Sequence, residues 1–402
     1  MASYEGAEQR GRRTVARVSP LHDPKIRGII FQVVIAVAVL AFAAWLINNT
    51  YENLRRANIA SGFGFLSHRA GFEISQTLIY YTPDSTYGRA FLVGLLNTLL
   101  VAVIGIVLAS IIGFIVGVAR LSKNWLIRTI AGVYVETLRN IPVLLQLLFW
   151  YKAVLSVLPG PRQGFALPFG ANLSNRGLIL PSFITEPGFM ATVVAAIVAV
   201  GAVMLMNRWA YQRQMATGQP FPSMWASIAV LILLPGLVFI GTGRPMTIEY
   251  PELQGFNFVG GIHISPEFIA LTLGLTLYTA SFIAEIVRGG ILAVSHGQTE
   301  AASALGLKRS WTLRLVVIPQ ALRVIIPPLT NQYLNLTKNS SLAVAVGYPD
   351  LVGVFARTVL NQTGQAIEVI FITMMVYLFI SIVTSLLMNW FNRRVALRGV
   401  AR

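Results

Sequence analysis

The sequence predicts an all-α membrane protein that crosses the bilayer about eight times. Of its 402 residues, 55% are hydrophobic and only 11% are charged, whereas about 25% of the residues of a soluble protein are charged. Eight apolar stretches approach or exceed the roughly 20 residues with which a helix crosses the hydrocarbon core. They lie at residues 28 to 47, 91 to 119, 141 to 158, 188 to 206, 223 to 242, 266 to 290, 324 to 346 and 369 to 391.

The distribution of positive charge indicates how the chain is oriented. The net charge is +16, and most Lys and Arg residues fall in the segments that are cytoplasmic if the amino terminus is inside. Basic residues concentrate on the cytoplasmic side of membrane proteins. We therefore predict that both terminal segments, residues 1–27 and 392–402, are cytoplasmic, and that the charge reflects contact with the lipid bilayer rather than with nucleic acid.

The first apolar stretch has a second interpretation. Basic residues precede it and Ala41-Phe42-Ala43 resembles a cleavage site, so it could be the core of a signal peptide. Its length and the long region before it favour an uncleaved membrane anchor.

The loop between the sixth and seventh predicted spans encodes two short helices. Thr299 is a plausible N-cap with Glu300 in the first helical turn, where a carboxylate suits the positive helix end. Gly306 can adopt the left-handed conformation that ends a helix. We expect Ser310 to cap the second helix and the chain to turn or kink near Pro319. These residues predict a helix-turn-helix knob that faces the cytoplasm.

Small side chains on this knob suggest a docking surface. Ala301, Ala302 and Ala304 would let another backbone approach closely, and an apolar surface left uncovered would invite aggregation. The residues themselves leave open an ordinary amphipathic cytoplasmic loop.

The order of residues in this loop resembles the EAA motif of ABC importer membrane subunits. Val316 and Ile318 stand where the motif usually has Ile and Leu. The resemblance implies the fold of a type I ABC importer transmembrane subunit, whose loop forms coupling helices seated on an ATPase dimer. It also implies that ATP and Mg are bound by that ATPase and that this chain binds no cofactor. The matching residues are Gly297, Glu300, Ala301, Ala302, Gly306 and Pro319.

Four further blocks resemble the polar amino-acid, or histidine-permease-like, branch of this family. They occur in the family's order at residues 94–98, 134–142, 278–291 and 319–323. The length of the chain and residues 173–178 are similar to the Q-type subunits of general L-amino-acid transport systems in Gram-negative bacteria. The resemblance implies an inner-membrane permease that pairs with a second, related permease and works with a periplasmic amino-acid-binding protein.

These comparisons predict how the chain is divided. The first transmembrane helix and a periplasmic segment would occupy residues 28–90, and the permease core would occupy 91–158 and 266–391. The core's cytoplasmic coupling loop would span 293–323. Residues 159–265 contain several Pro and Gly clusters, and we predict that they form an insertion with two extra helices.

Polar residues within the predicted spans are candidates for the substrate path, because such groups usually face a bundle interior or water. For each residue alone, hydrogen bonding between helices is the favoured explanation, and only the set as a whole suggests a polar lining. An amino-acid zwitterion needs both acceptors and donors, and we expect Thr279, Ser281, Asn331 and Asn335 to line the passage. The full set is Asn97, Thr98, Gln146, Tyr278, Thr279, Ser281, Asn331, Asn335 and Lys338.

Two pairs of opposite charges have helical spacing. Glu136 and Arg139, and Glu285 and Arg288, are each three residues apart and so share a helix face. We interpret both as structural ion pairs rather than as proton-transfer groups.

The sequence also lacks the motifs of several other functional classes. It contains no G-x-x-x-x-G-K-[ST] phosphate loop, its four His residues lack metal-ligand spacing, and it has no Cys. We therefore predict a permease that is not an enzyme and holds no metal. A secondary ion-coupled amino-acid transporter remains the competing interpretation, with a membrane scaffold as a third.

Overall fold

The computed structural model describes residues 24–56 and 61–395, and most of these residues are helical. The predicted helical membrane fold is confirmed. The terminal segments predicted to be cytoplasmic lie largely outside the described residues. The α-helices are α1 Pro24–Arg56, α2 Tyr87–Ala119, α3 Trp125–Asn140, α4 Val143–Leu148, α5 Phe189–Thr217, α6 Ser223–Gly241, α7 Pro266–Leu292, α8 His296–Ala304, α9 Arg309–Thr312, α10 Ile318–Asn339, α11 Leu360–Thr363 and α12 Ala366–Val395.

Two compact units are distinguished. One contains α1 and Thr363–Glu368, and within it the backbone N–H of Gly62 donates to the Glu368 carboxylate at 2.6 Å. The other contains Gly64–Gln362 and the chain from Val369 onward. The residues of the candidate site described below lie in this second unit.

In the described ranges, seven helical segments are long and apolar enough to cross a membrane. Seven of the eight predicted spans coincide with them, and the prediction for residues 141 to 158 needs correction. That segment forms only α4 and a π-helical continuation, Phe149–Leu155. The seven segments are Ile26–Thr50, Tyr87–Ala119, Phe189–Thr217, Ser223–Gly241, Pro266–Leu292, Arg309–Ala345 and Ala366–Arg394.

The short α4 segment nevertheless follows α7 along much of its length. Arg139, just before α4, lies over the ring of Phe282 in the inner half of α7. The side chain of Leu147 packs against Gly274 and fills the space that a Cβ on this glycine would need. The Tyr151 hydroxyl donates to Glu267, in the first turn of α7, at 2.8 Å. These contacts run in order from the inner half of α7 to its first turn. The chain therefore follows α7 over this distance with a helix that is shorter than predicted.

The centre of the helical bundle is the close packing of α2 against α7. A Cβ added to Gly113 would lie 2.6 Å from Cβ of Ile283, and one added to Gly117 would lie 2.7 Å from the Ala284 carbonyl oxygen. Small residues spaced four apart let two membrane helices approach closely. Buried Leu271, Leu275 and Ile325 extend this core to α10.

The predicted insertion holds α5 and α6, which pack against each other, and short strands that the sequence analysis did not predict. Strands β1 to β3 and β8 form an antiparallel sheet in that order, with Leu178 opposite Ile264. β4 pairs with β5, and β6 pairs with β7. The strands are Phe165–Ala166, Asn172–Ser174, Gly177–Leu180, Ser182–Thr185, Met246–Glu249, Glu252–Gln254, Asn257–Val259 and Ile262–Ile264.

Candidate coupling loop and polar path

The predicted knob is present, but its helices begin earlier than expected. α8 starts at His296 with Ser295 as its N-cap residue, so Thr299 lies inside the helix and is not its cap. The cap prediction was wrong because only three residues separate the end of α7 at Leu292 from the start of α8, and Gly297 is accommodated in the first turn. α9 likewise begins after Lys308, which makes Ser310 an internal residue.

Gly306 ends α8 in the predicted left-handed conformation, with φ of 75°. Its N–H donates to the Ser303 carbonyl at 2.9 Å, and the N–H of Leu307 donates to the Ala302 carbonyl at 3.1 Å. This pair of bonds is the Schellman motif, which satisfies carbonyls that the helix end would leave unpaired. Gly306 therefore sets the angle between α8 and α9.

The three neighbouring alanines of α8 do not share one environment. Ala302 is buried, with 3% of its surface exposed, on the side where α8 packs against α9 and the turn that follows. Ala301, Ala304 and Leu305 are exposed, and Leu305 is 81% exposed. Ala302 thus holds the knob together, whereas Ala301, Ala304 and Leu305 form its free face, which we call the docking face.

The connection from the knob to the next span is continuous. α9 passes into a π-helical turn, Leu313–Val317, and then into α10 without a loop. Pro319 is the second residue of α10 and directly follows the π-helical turn, and because proline has no N–H it removes one hydrogen bond from this continuous helical segment. The predicted kink is therefore a π-helical turn that precedes the proline.

Glu300 is largely exposed and lies next to His296, whose Nδ1 is 2.9 Å from the carboxylate. The two residues are one helical turn apart on the surface of the knob. A pair so exposed to solvent contributes little to stability, so Glu300 is available to a protein that covers the knob.

One of the two predicted ion pairs is present. The Arg288 guanidinium contacts the Glu285 carboxylate at 2.6 Å. The pairing of Glu136 with Arg139 was wrong, because Glu136 is 3.4 Å from Arg120 and Arg139 instead lies over Phe282.

Arg120 was missed by the sequence analysis. It follows the end of α2, and it contacts both Glu285 and Glu136. The resulting network joins the carboxyl end of α2 to α3 and α7. Its position supports the structural role that the spacing of these charges suggested.

Asn97 and Thr98 fasten two segments to α2, one at Gln76 and one at Pro349 to Leu351, and do not line an open path. The Asn97 amide donates to the carbonyls of Gln76 and Pro349, both at 2.9 Å. The Thr98 hydroxyl accepts from the Leu351 N–H at 2.9 Å. Both side chains are fully buried, so the expectation that they face the substrate was wrong.

The polar residues of α4 and α7 are also buried. Gln146 donates its amide to the carbonyls of Leu138 and Ile141 at the end of α3. Ser281 donates to the Tyr278 carbonyl at 2.6 Å, and Thr279 is 3% exposed. Both side chains are buried within the helices that pack around α7, so the expected lining by Thr279 and Ser281 does not fit. Tyr278 is half-buried, with its ring against Phe282.

α10 presents the remaining candidates on one face. Asn331, Asn335 and Lys338 are exposed, and their spacing of four and three residues places them one above another. They lie within a segment long enough to span the membrane. A row of exposed polar groups at that depth requires water or another protein chain beside it.

The structure also reveals a cavity of about 330 Å³ that the sequence analysis missed. Its lining brings together Glu73, which precedes α2, and Arg357, in a π-helical segment at Val352–Val359. Tyr348 and Gly353 form part of its wall. Glu73 is more than 250 positions from Tyr348, Gly353 and Arg357 in the sequence, so no local sequence pattern could place them together.

Asp350 lies beside this wall and is fully buried. One carboxylate oxygen accepts from the Gly353 N–H at 2.8 Å, which caps the π-helical segment. The other oxygen is buried without a hydrogen-bond partner in the described part of the chain. Burial raises the pKa of Asp350 to about 7, because desolvation disfavours the carboxylate.

This raised pKa predicts a dependence of stability on pH. An acid whose pKa rises on folding stabilises the fold fully below the unfolded pKa, near 4, and loses this contribution as pH rises through about 7. We expect the thermal stability of the detergent-solubilised protein to fall between pH 5 and pH 8. Asp350→Asn should remove most of this fall.

Thermal unfolding at several pH values measures the effect. Glu186→Gln, at an exposed carboxylate, is the matched control and should retain the pH dependence of the unsubstituted protein. A pH profile that is the same with and without Asp350→Asn would contradict the prediction.

Known proteins resemble this chain in sequence. Residues 208–397 match the family model described as the binding-protein-dependent transport system inner membrane component. The chain is 57% identical to the general L-amino acid transport system permease protein AapQ of Rhizobium johnstonii, over 94% of each chain. The chain belongs to the amino-acid ABC transporter permease family.

A second curated relative agrees with this assignment. The permease is 53% identical to the putative amino-acid ABC transporter permease protein YhdX of Escherichia coli K12, over 96% of this chain and 98% of that one. A solved structure described as a crystal structure of an amino acid ABC transporter with histidines matches 77% of this chain and 95% of its own, with 21% identity and a TM-score of 0.45.

Membership of the family establishes the general character of the permease. It is a multi-pass protein of the bacterial inner membrane. It is a transport subunit and not an enzyme, as the missing phosphate loop suggested. The resemblance inferred from the EAA loop and its neighbouring blocks is confirmed.

Proposed function

We propose that this permease moves L-amino acids from the periplasm to the cytoplasm by alternating access, driven by a separate ATPase dimer. The observation that carries the proposal is the docking face. Ala301, Ala304 and Leu305 are exposed on a helix fixed at its end by Gly306, and an apolar face of this kind suits a protein partner.

The continuity of the knob with α10 supports mechanical coupling. Force applied by the ATPase to α8 would reach α9, and α9 runs without a loop into the span that carries the exposed polar row. A rigid element between two sites can transmit a rocking movement. ATP and Mg would be bound by the ATPase, because the permease sequence has no phosphate loop.

The exposed row on α10 supports pairing with a second permease. Asn331, Asn335 and Lys338 would be costly against lipid, above all the Lys338 ammonium. A second, related subunit facing this row would enclose it in a shared aqueous path. Such a partner makes the permease one half of a heterodimer.

The cavity containing Glu73 and Arg357 supports an amino-acid substrate. A zwitterion carries an ammonium and a carboxylate, and the cavity offers one group of opposite charge for each. Its volume of about 330 Å³ exceeds that of a single amino acid. A periplasmic binding protein would deliver the substrate to this side of the permease.

Arg357 provides a direct test of substrate recognition. Arg357→Gln removes the cationic partner of the substrate carboxylate, and losing one charge-assisted interaction of about 1.4 kcal/mol raises KM about tenfold. We expect this rise in uptake assays at saturating binding protein. Arg176→Gln, which removes an exposed charge in the predicted insertion, should leave KM unchanged. An unchanged KM for Arg357→Gln would rule out this cavity as the substrate contact.

Reconstitution tests the energy source. The permease is co-purified with its partners from the native membrane and placed in vesicles, and amino-acid uptake is measured with ATP or with an imposed ion gradient. We expect uptake to require ATP, the ATPase and the binding protein. Uptake by the permease alone under an ion gradient would instead establish a secondary transporter.

A further inference from the structure

A second cavity, of about 630 Å³, lies where three membrane helices end. Ile291 is in the last turn of α7, Lys123 follows the end of α2, and Arg309 begins the segment Arg309–Ala345. The cavity is therefore at the cytoplasmic boundary of the bilayer.

The lining of this cavity combines positive charge, hydroxyl groups and an apolar wall. Lys123 and Arg309 supply the cations, and Thr299 and Ser303 supply hydroxyls. Among the described residues that line it, none is Asp or Glu. Leu313 and Ile291 contribute the apolar side.

This combination suits an amphiphilic anion. Lys and Arg attract phosphate, and hydroxyl groups can donate further hydrogen bonds to its oxygens. A free phosphate would have no use for the apolar wall, whereas a lipid at the bilayer boundary places its acyl chains there. Basic pockets between membrane helices on the cytoplasmic side can bind anionic lipid headgroups.

We propose that this cavity binds the headgroup of an anionic phospholipid from the inner leaflet. The lipid would bridge α8 to the ends of α2 and α7, and so would brace the knob from behind. The site is distinct from the docking face, and the proposal does not depend on which substrate the permease carries.

The helical geometry of α8 separates the two surfaces. Thr299 and Ser303, four residues apart, face the cavity. Ala301 and Ala304 lie at about 100° to 160° from them around a helix that turns about 100° per residue, and both are exposed. A lipid in the cavity and an ATPase on the docking face can therefore bind together.

Lipid retention by the purified complex tests the proposal. The complex is incubated with equal amounts of phosphatidylglycerol and phosphatidylcholine in detergent micelles, and bound lipid is counted by native mass spectrometry without ATP. We expect preferential retention of phosphatidylglycerol. The double variant Lys123→Gln with Arg309→Gln should reduce that retention at least fivefold.

The matched control is Lys308→Gln with Arg314→Gln. It removes the same charge from exposed residues of the same loop that do not line the cavity, and it should retain phosphatidylglycerol as the unsubstituted complex does. A further arm adds soluble glycerol phosphate, which should not displace the lipid.

Three results would overturn the proposal. Equal losses in the two double variants would show a general charge effect, and equal retention of both lipids would show that headgroup charge is not recognised. Displacement by glycerol phosphate would show a site for a soluble anion. Failure of ATP-driven uptake would leave this readout unaffected, so the two proposals are tested separately.

Discussion

Replacing Gly306 by Val is expected to reduce ATP-driven uptake more than tenfold while leaving membrane insertion intact. Gly306 has φ of 75°, a region that costs an ordinary residue about 1–2 kcal/mol and is a true outlier for a β-branched one. Space is not the obstacle, because a Cβ at Gly306 meets nothing within 4 Å. The strain would be relieved by changing the angle between α8 and α9, which displaces the docking face.

Gly306→Asn is the matched control, because Asn tolerates the left-handed conformation better than other residues with a side chain. It should preserve most uptake and ATPase co-purification. Uptake and ATP hydrolysis are measured on the same vesicles, so loss of coupling is distinguished from loss of docking. Full uptake by the Val variant would refute the proposed role of this turn.

Replacing Gly117 by Val is expected to have the largest effect on folding. A Cβ at this position would stand 2.7 Å from the Ala284 carbonyl oxygen and 2.8 Å from Cβ of Val287. The nearest atoms belong to backbone and to a branched side chain, which cannot move aside cheaply. Overpacking of a core costs about 1–3 kcal/mol or more, so we expect α2 and α7 to separate.

Gly201→Val is the control for this substitution. Gly201 also lies within a membrane helix, α5, but a Cβ there meets nothing within 4 Å. The yield of monodisperse protein and its thermal unfolding temperature should drop sharply for Gly117→Val and change little for Gly201→Val. Comparable yields for both variants would show that the α2–α7 contact is not essential.

The long membrane helices could be predicted because apolar length is a local property of sequence. The α4 segment was misjudged since its support comes from α7, through Gly274 and Glu267, and not from its own length. The strands of the insertion are two to four residues long, which is too short for an alternating pattern to emerge.

Within the candidate site, the sequence correctly predicted those features that depend on the backbone properties of a single residue. Gly306 was identified because only its backbone freedom suits a left-handed helix end. The roles of Asn97 and Asn335 could not be distinguished, since the same amide is buried against Pro349 in one case and exposed on α10 in the other. That difference arises from tertiary packing. The placement of Glu73 and Arg357 in the lining of one cavity has the same origin.

The π-helical turn at Leu313–Val317 fixes an angular phase between the cytoplasmic knob and the polar row of α10. A π turn holds one residue more than an α turn, and one residue corresponds to about 100° of rotation. Deleting one residue of this turn would remove no side chain of the polar row, yet would rotate Asn331 and Asn335 by about a quarter-turn relative to the knob. The register of these five residues therefore sets the direction in which the polar row of α10 faces relative to the knob.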